Sequence, residues 1–110
     1  MKITTTQNHT TIKIVDGDIL EFIENIALQY KQLTDQNIIV DLLSHKKLSN
    51  AQIMTFLMLA KKHKKLKKSF VLVTSDADFN EITDKLTVVP TIQEACDMIE
   101  MEEIERDLGF

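Results

Sequence analysis

The fold is decided by residues 37–60, which read NIIVDLLSHKKLSNAQIMTFLMLA. The stretch opens with a β-branched run that closes on Asp41, and such a continuous apolar run is typical of a strand buried on both faces of a parallel sheet. A polar loop leads to Ser49, a helix N-cap whose capping-box partner is Gln52, and apolar residues then recur at helical spacing. The stretch therefore predicts the strand, loop and helix of an α/β unit.

Elements of the same kinds flank this unit on both sides. The helix of the unit, predicted to begin after Ser49, is called helix 2 because another helix precedes it. Residues 2–6 and 10–15 alternate and predict a β-hairpin. Asp18 is a predicted N-cap, and the first helix that it opens runs to about residue 33. After the lysine-rich end of helix 2, residues 69–74 (SFVLVT) predict another buried strand.

The last third of the chain completes an alternating pattern. A short helix is predicted after Ser75, which forms a cap with Asp78. A short strand at residues 88–89 follows, and Thr91 with Glu94 opens a C-terminal helix. The predicted order is β-β-α-β-α-β-α-β-α. Because helical crossovers join parallel neighbours, the expected fold class is α/β, with a mostly parallel sheet and an antiparallel N-terminal hairpin.

Length and composition narrow the class of protein. The 110 residues suit one domain, residues 1–110, of which residues 100–110 are expected to be a helical C-terminal extension. A net charge of -4 gives no overall attraction to nucleic acid or to an anionic membrane, so neither is an expected partner. No apolar run approaches the ~20 residues that span a bilayer, and the N-terminus is not a signal peptide. With Cys96 as the only cysteine, the expected location is the cytoplasm.

A candidate site lies at the carboxyl edge of the predicted sheet, where parallel sheets usually form their sites. Its residues are Asp41, Ser44, Ser49 and Asn50. One hypothesis is a partner-binding edge, and a second is a switch controlled by phosphorylation of Ser44 or Ser49, although capping alone also explains Ser49. A third is a small-ligand module in which the N-terminus of helix 2 accepts an anion of a nucleotide or lipid.

Two sets of apolar side chains are predicted to point away from the core. On helix 2 they are Met54 and Met58, and on the C-terminal helix they are Met98, Met101, Ile104 and Leu108. Flexible Met-rich surfaces suit partner binding, whereas a covering helix is the alternative. Because no Gly or Pro interrupts this part of the last helix, we expect a continuous helix whose outer stripe contacts another molecule, most simply in a twofold homodimer.

The lysine-rich end of helix 2, KKHKKLKK at residues 61–68, holds six of the 13 Lys and Arg residues. One interpretation is a patch for a phosphate backbone or another anionic partner. The other is a solvated helix end, where cations oppose the negative end of the helix dipole. No aromatic residue lies within the run to stack on bases, which favours the second interpretation.

With these elements in place, the chain resembles the STAS family, the domain of anti-sigma factor antagonists. The resemblance covers about residues 2–99 in element order and is sharpest over residues 38–57. Asp41-Leu42 matches the Asp-Leu that ends the central strand of the family, and Ile53 and Leu57 match the apolar positions of helix 2.

The switch motif of the family departs from this pattern. The family places a second Asp, a Ser or Thr, and a Gly before helix 2, where this chain has Ser49, then Asn50 or Ala51, and Gln52. The usual phosphate acceptor is therefore missing. The resemblance implies a non-catalytic regulatory domain that binds another protein, such as an anti-sigma-like partner, without a cofactor or metal.

The tail DMIEMEEIERDLGF is similar to that of small bacterial chains sometimes labelled ribonuclease Z. That activity needs the metallo-β-lactamase fold and an HxHxDH cluster that holds two metals. The only histidines here are His9, His45 and His63, which are far apart in the sequence. We therefore expect neither nuclease activity nor a zinc site.

Overall fold

A computed structural model of the protein describes residues 1–15, 17–45, 48–75 and 85–109. The strands are β1 (Lys2–Thr5), β2 (His9–Lys13), β3 (Asn37–Asp41), β4 (Phe70–Val73) and β5 (Thr87–Val89). The helices are α1 (Ile19–Gln29), which continues into a 3-10 turn (Tyr30–Gln32), α2 (Asn50–Met54), α3 (Leu57–Lys65) and α4 (Ile92–Asp107).

The five strands form one sheet in the order in which they occur along the chain. β1 pairs antiparallel with β2, and each later strand pairs parallel with the one before it. Val40 of β3 lies between Ile12 of β2 and Leu72 of β4, so β3 is the central strand. The predicted α/β class, with a mostly parallel sheet and an N-terminal antiparallel hairpin, is confirmed.

Helices cover both faces of the sheet, which explains why every residue of β3 is buried. One face packs against α1, α2 and α3, in a core that includes Phe22, Ile38, Val40, Ile53, Phe56 and Phe70. The other face packs against α4, in a second core of Ile39, Val71, Val73, Val89, Ala95 and Ile99. Alternate residues of one strand thus enter different cores, as the two-residue period of a strand requires.

Helix 2 is interrupted, which differs from the single helix expected from the sequence. α2 ends at Met54 and α3 begins at Leu57. Between them, the backbone N–H groups of Thr55 and Phe56 donate to Gln52 and Ile53, three residues back. The Thr55 hydroxyl also donates to the Gln52 carbonyl. Such bonding of a threonine side chain to the preceding turn competes with the α-helical ladder and favours an interruption.

The predicted N-caps Asp18 and Thr91 are confirmed. Asp18 Oδ1 accepts a hydrogen bond from Leu20 N–H at 3.3 Å, and Thr91 Oγ1 accepts one from Glu94 N–H at 3.1 Å. α4 runs without a break for 16 residues, as expected from its lack of Gly and Pro. The short helix predicted after Ser75, with Phe79 and Ile82, lies outside the described residues.

Candidate functional site

The polar residues at the carboxyl edge of the sheet are used in local hydrogen bonds. Asp41 ends β3, and its Oδ1 accepts a hydrogen bond from Leu43 N–H at 3.0 Å. Ser44 Oγ donates to the Ile14 carbonyl at 2.7 Å, which joins the loop after β3 to the end of β2. Both side chains are therefore engaged in hydrogen bonds within the fold, at the edge where we predicted a switch or a protein-binding site.

Ser49 caps α2 as predicted. Its Oγ accepts a hydrogen bond from Gln52 N–H at 3.1 Å, and Gln52 Oε1 accepts one from Ser49 N–H at 2.9 Å, which completes the capping box. Asn50 is the first residue of α2, at the helix start rather than in its middle. Because α2 has only five residues, its dipole is too short to make a strong anion site.

At this edge, the side chain of His45 has a polar atom whose hydrogen bonding is not satisfied by the described residues. Its backbone N–H donates to the Leu42 carbonyl at 3.0 Å, whereas its Nδ1 is buried and has no hydrogen-bond partner among the described residues. A buried polar atom without a partner is costly, and most folds satisfy such atoms. The sequence did not single out this histidine as part of the edge.

The methionines of helix 2 do not form one outward-facing surface. Met58 is 74% exposed, but Met54 is half-buried and packs against the first core. This differs from the expectation that both point away from the core. The reason is the interruption at Thr55 and Phe56, because the two methionines then belong to different helices.

The outer stripe of α4 is exposed over most of its predicted length. Met98 is half-buried and packs against the second core. By contrast, Met101, Ile104 and Leu108 are 57%, 60% and 66% exposed. We call these three residues the α4 stripe.

The amino edge of the sheet carries a polar network that the sequence analysis missed. At its centre is Asn37, the first residue of β3, which is buried. Asn37 Nδ2 donates to the Asn8 carbonyl at 3.0 Å and to Glu103 Oε1 at 2.9 Å. Asn37 Oδ1 accepts a hydrogen bond from Ser69 N–H at 2.8 Å. One amide thereby joins the starts of β2, β3 and β4 to α4.

Three charged residues of α4 complete this network. Ser69 Oγ donates to Glu102 Oε1, and Arg106 Nη1 and Nη2 donate to Ser69 Oγ and Asn37 Oδ1 at 3.3 and 3.4 Å. Glu102, Glu103 and Arg106 lie at helical spacing after Ile99, so they continue the buried face of α4 past the end of the sheet. That spacing is the sequence signal that would have found them.

A second chain of hydrogen bonds, partly buried, is centred on His63 of α3. His63 Nε2 donates to the Gln36 carbonyl at 2.6 Å, so its Nδ1 is the acceptor for the Tyr30 hydroxyl at 2.9 Å. Burial lowers the pKa of His63 below its ordinary value of 6.5; the bond to Gln36 acts against this, and the charges of Lys68 and Arg106 act with it. Burial also raises the pKa of Tyr30. The lysine-rich run therefore contains a buried histidine whose lowered pKa favours the neutral form.

No family model and no curated protein matches this chain. Within residues 1–15, 17–45, 48–75 and 85–109, no helix is long and apolar enough to cross a membrane. In the same part of the chain, no three His, Cys, Asp or Glu residues are grouped so that they could hold a metal ion.

Proposed function

We propose that this protein is a cytoplasmic, non-catalytic regulatory domain that acts by binding another protein, similar to anti-sigma factor antagonists. The observation that carries the proposal is the α4 stripe, a row of large apolar side chains on a continuous helix, each more than half exposed. Fully burying one such side chain stabilises a complex by about 1.5–3 kcal/mol, so the row has a substantial tendency to associate.

The other candidate surfaces give less support. At the carboxyl edge, Asp41, Ser44 and Ser49 are already engaged in hydrogen bonds that shape the loop and cap α2. These bonds explain the three residues without a reaction or a phosphate switch. The α4 stripe has no comparable structural explanation, because the face of α4 that packs on the sheet is the opposite one.

A second copy of the chain is the partner that we propose for the stripe. A twofold axis would bring two identical rows of Met101, Ile104 and Leu108 together, which makes a self-complementary contact. The methionine at one end gives the contact a side chain that adapts its shape.

Sedimentation velocity over a wide concentration range tests this proposal. The full chain is expected to convert from monomer to dimer, and Ile104→Glu is expected to remain monomeric because it places a charge in the contact. Leu28→Glu is the matched control, since Leu28 is 82% exposed on α1, away from the stripe, and should dimerise normally.

Point substitutions suit this test better than removal of the tail. Glu102, Glu103 and Arg106 hold α4 to the sheet, so a chain truncated after Glu100 would lose part of its fold along with the stripe. A full chain that stays monomeric at its highest concentration would contradict self-association through α4.

A further inference from the structure

The end of α3 and the end of α4 line an open cavity at the amino edge of the sheet, on the side of α4 next to the stripe. Its volume is about 420 Å³, and it is lined by Lys64, Lys67, Lys68, Glu102, Glu105, Arg106 and Gly109. Small-molecule sites commonly measure roughly 300–1,000 Å³, so the cavity is large enough for a compact ligand.

The charge of the lining is opposite to that of the whole chain. Among the described lining residues, four cations and two carboxylates leave an excess of two positive charges, although the protein has a net charge of -4. The negative end of the α3 dipole compensates part of this grouped positive charge, and a bound anion would compensate more of it. The one ion pair in the lining, between Arg106 and Glu102, is long at 4.0 Å.

Arg106 is positioned to donate hydrogen bonds to a ligand in the cavity. Its contacts with Ser69 Oγ and Asn37 Oδ1 are 3.3 and 3.4 Å long, which are weak for a guanidinium, and they use two of its five N–H groups. These contacts direct the side chain toward two buried residues, one at the start of β3 and one just before β4. The guanidinium is thus oriented while it keeps donor capacity for an oxyanion.

The backbone conformation of Lys67 independently supports a role for its side chain at the cavity. α3 ends in a turn in which Lys67 N–H donates to the Lys64 carbonyl and Lys68 N–H donates to the His63 carbonyl, a Schellman arrangement. The residue at the left-handed position of this turn is usually Gly, but here it is Lys67, with φ of +62°. A residue with a side chain is strained there, and such strain is typically found where the side chain has a role. Here that side chain lines the cavity.

We infer that this cavity binds a small multivalent oxyanion between Arg106 of α4 and the lysines that follow α3. Lys64 Nζ donates to the Lys85 carbonyl at 3.0 Å, so Lys67 and Lys68 are the lysines assigned to the anion. None of the described lining residues is aromatic, so they recognise the ligand by its charge and oxygens rather than by stacking.

Isothermal titration calorimetry of the full chain with pyrophosphate, at low ionic strength, tests the inference. Pyrophosphate is expected to bind saturably, and acetate is not, because a single charge gains too little from the cations. Lys67→Gly should weaken binding about threefold. The same substitution should raise the melting temperature, because glycine adopts the left-handed conformation without strain.

A second cavity variant is expected to change the affinity for pyrophosphate in the direction opposite to Lys67→Gly. Glu105→Gln removes a repelling charge and should tighten pyrophosphate binding about threefold. Lys61→Gln and Glu100→Gln are the matched controls, since both residues are exposed and neither lines the cavity, so their affinities should equal that of the wild type within error. The inference is overturned if pyrophosphate does not saturate, or if Lys61→Gln weakens binding as much as Lys67→Gly.

Discussion

The two edges of the sheet are built by different means. At the carboxyl edge, Ser49 bonds to Gln52 and Asp41 bonds to Leu43, both close in sequence, whereas Ser44 reaches back 30 residues to the Ile14 carbonyl. At the amino edge, Asn37 bonds to Glu103 and Arg106, which are 66 and 69 residues away. The carboxyl edge is thus organised mainly by local caps and turns, and the amino edge by contacts that exist only after the chain has folded. Global stability should therefore depend more on the amino edge.

The largest effect is expected from Asn37→Ala. It should lower the free energy of unfolding by about 3 kcal/mol, because the buried Ser69 N–H, the Asn8 carbonyl and Glu103 all lose their partner. Urea unfolding measures this loss. Asn25→Ala, at an exposed position of α1, is the control and should change the midpoint little. A loss below about 1 kcal/mol for Asn37→Ala would mean that the amino-edge network contributes little.

A smaller effect is expected at the carboxyl edge from Ser49→Ala. Loss of the cap should cost about 1 kcal/mol, since one N–H group of the first turn of α2 loses its acceptor. Ser49→Asp keeps an acceptor at the same position and should retain most of the stability. The same urea experiment checks both variants, and equal losses in the two would show that the hydroxyl does not act as a cap.

The smallest effect concerns pH and the hydrogen bonds around His63. Because the pKa of His63 is lowered in the folded state, the unfolded chain binds more protons as pH falls below about 6.5. Stability should therefore be intact above that pH and decrease by less than about 1 kcal/mol between about pH 7.5 and 6.0. Unfolding midpoints at several pH values measure the decrease.

The control for the pH effect is a chain in which the other two histidines are replaced, His9→Gln with His45→Gln. It should keep the same decrease, because the protons are taken up by His63 of the unfolded chain. An NMR titration that gives the folded His63 a pKa above 6.5 would contradict the assignment.

Sequence patterns predicted the features whose signals lie within a few residues. The alternation of the hairpin, the apolar run of β3 and the caps at Ser49 and Thr91 all have this property, and the structure contains each of them. The interruption at Thr55 was not predicted, because apolar periodicity outweighs a single threonine in a pattern of that length.

The hydrogen-bond network at the amino edge was not predicted, for a different reason. No local pattern links Asn37 to α4, since their contact depends on the last helix crossing the sheet on the face opposite the other helices. Only the spacing from Ile99 to Glu102, Glu103 and Arg106 was visible in advance, and charged residues on a helix are more often solvated than bound. The three residues of the α4 stripe were predicted to point outward because they fall on one side of a simple 3.6-residue period, whereas Met98, predicted with them, packs against the second core.

The placement of α4 has a consequence for biosynthesis. All five strands leave the ribosome before this helix does, and each strand pairs with its predecessor, so the sheet can assemble in the order of synthesis. Until α4 emerges, the face formed by Ile39, Val71 and Val73 lacks the helix that covers it in the finished fold. The nascent protein therefore passes through a stage with one apolar sheet face open, in which aggregation competes with the docking of a single helix.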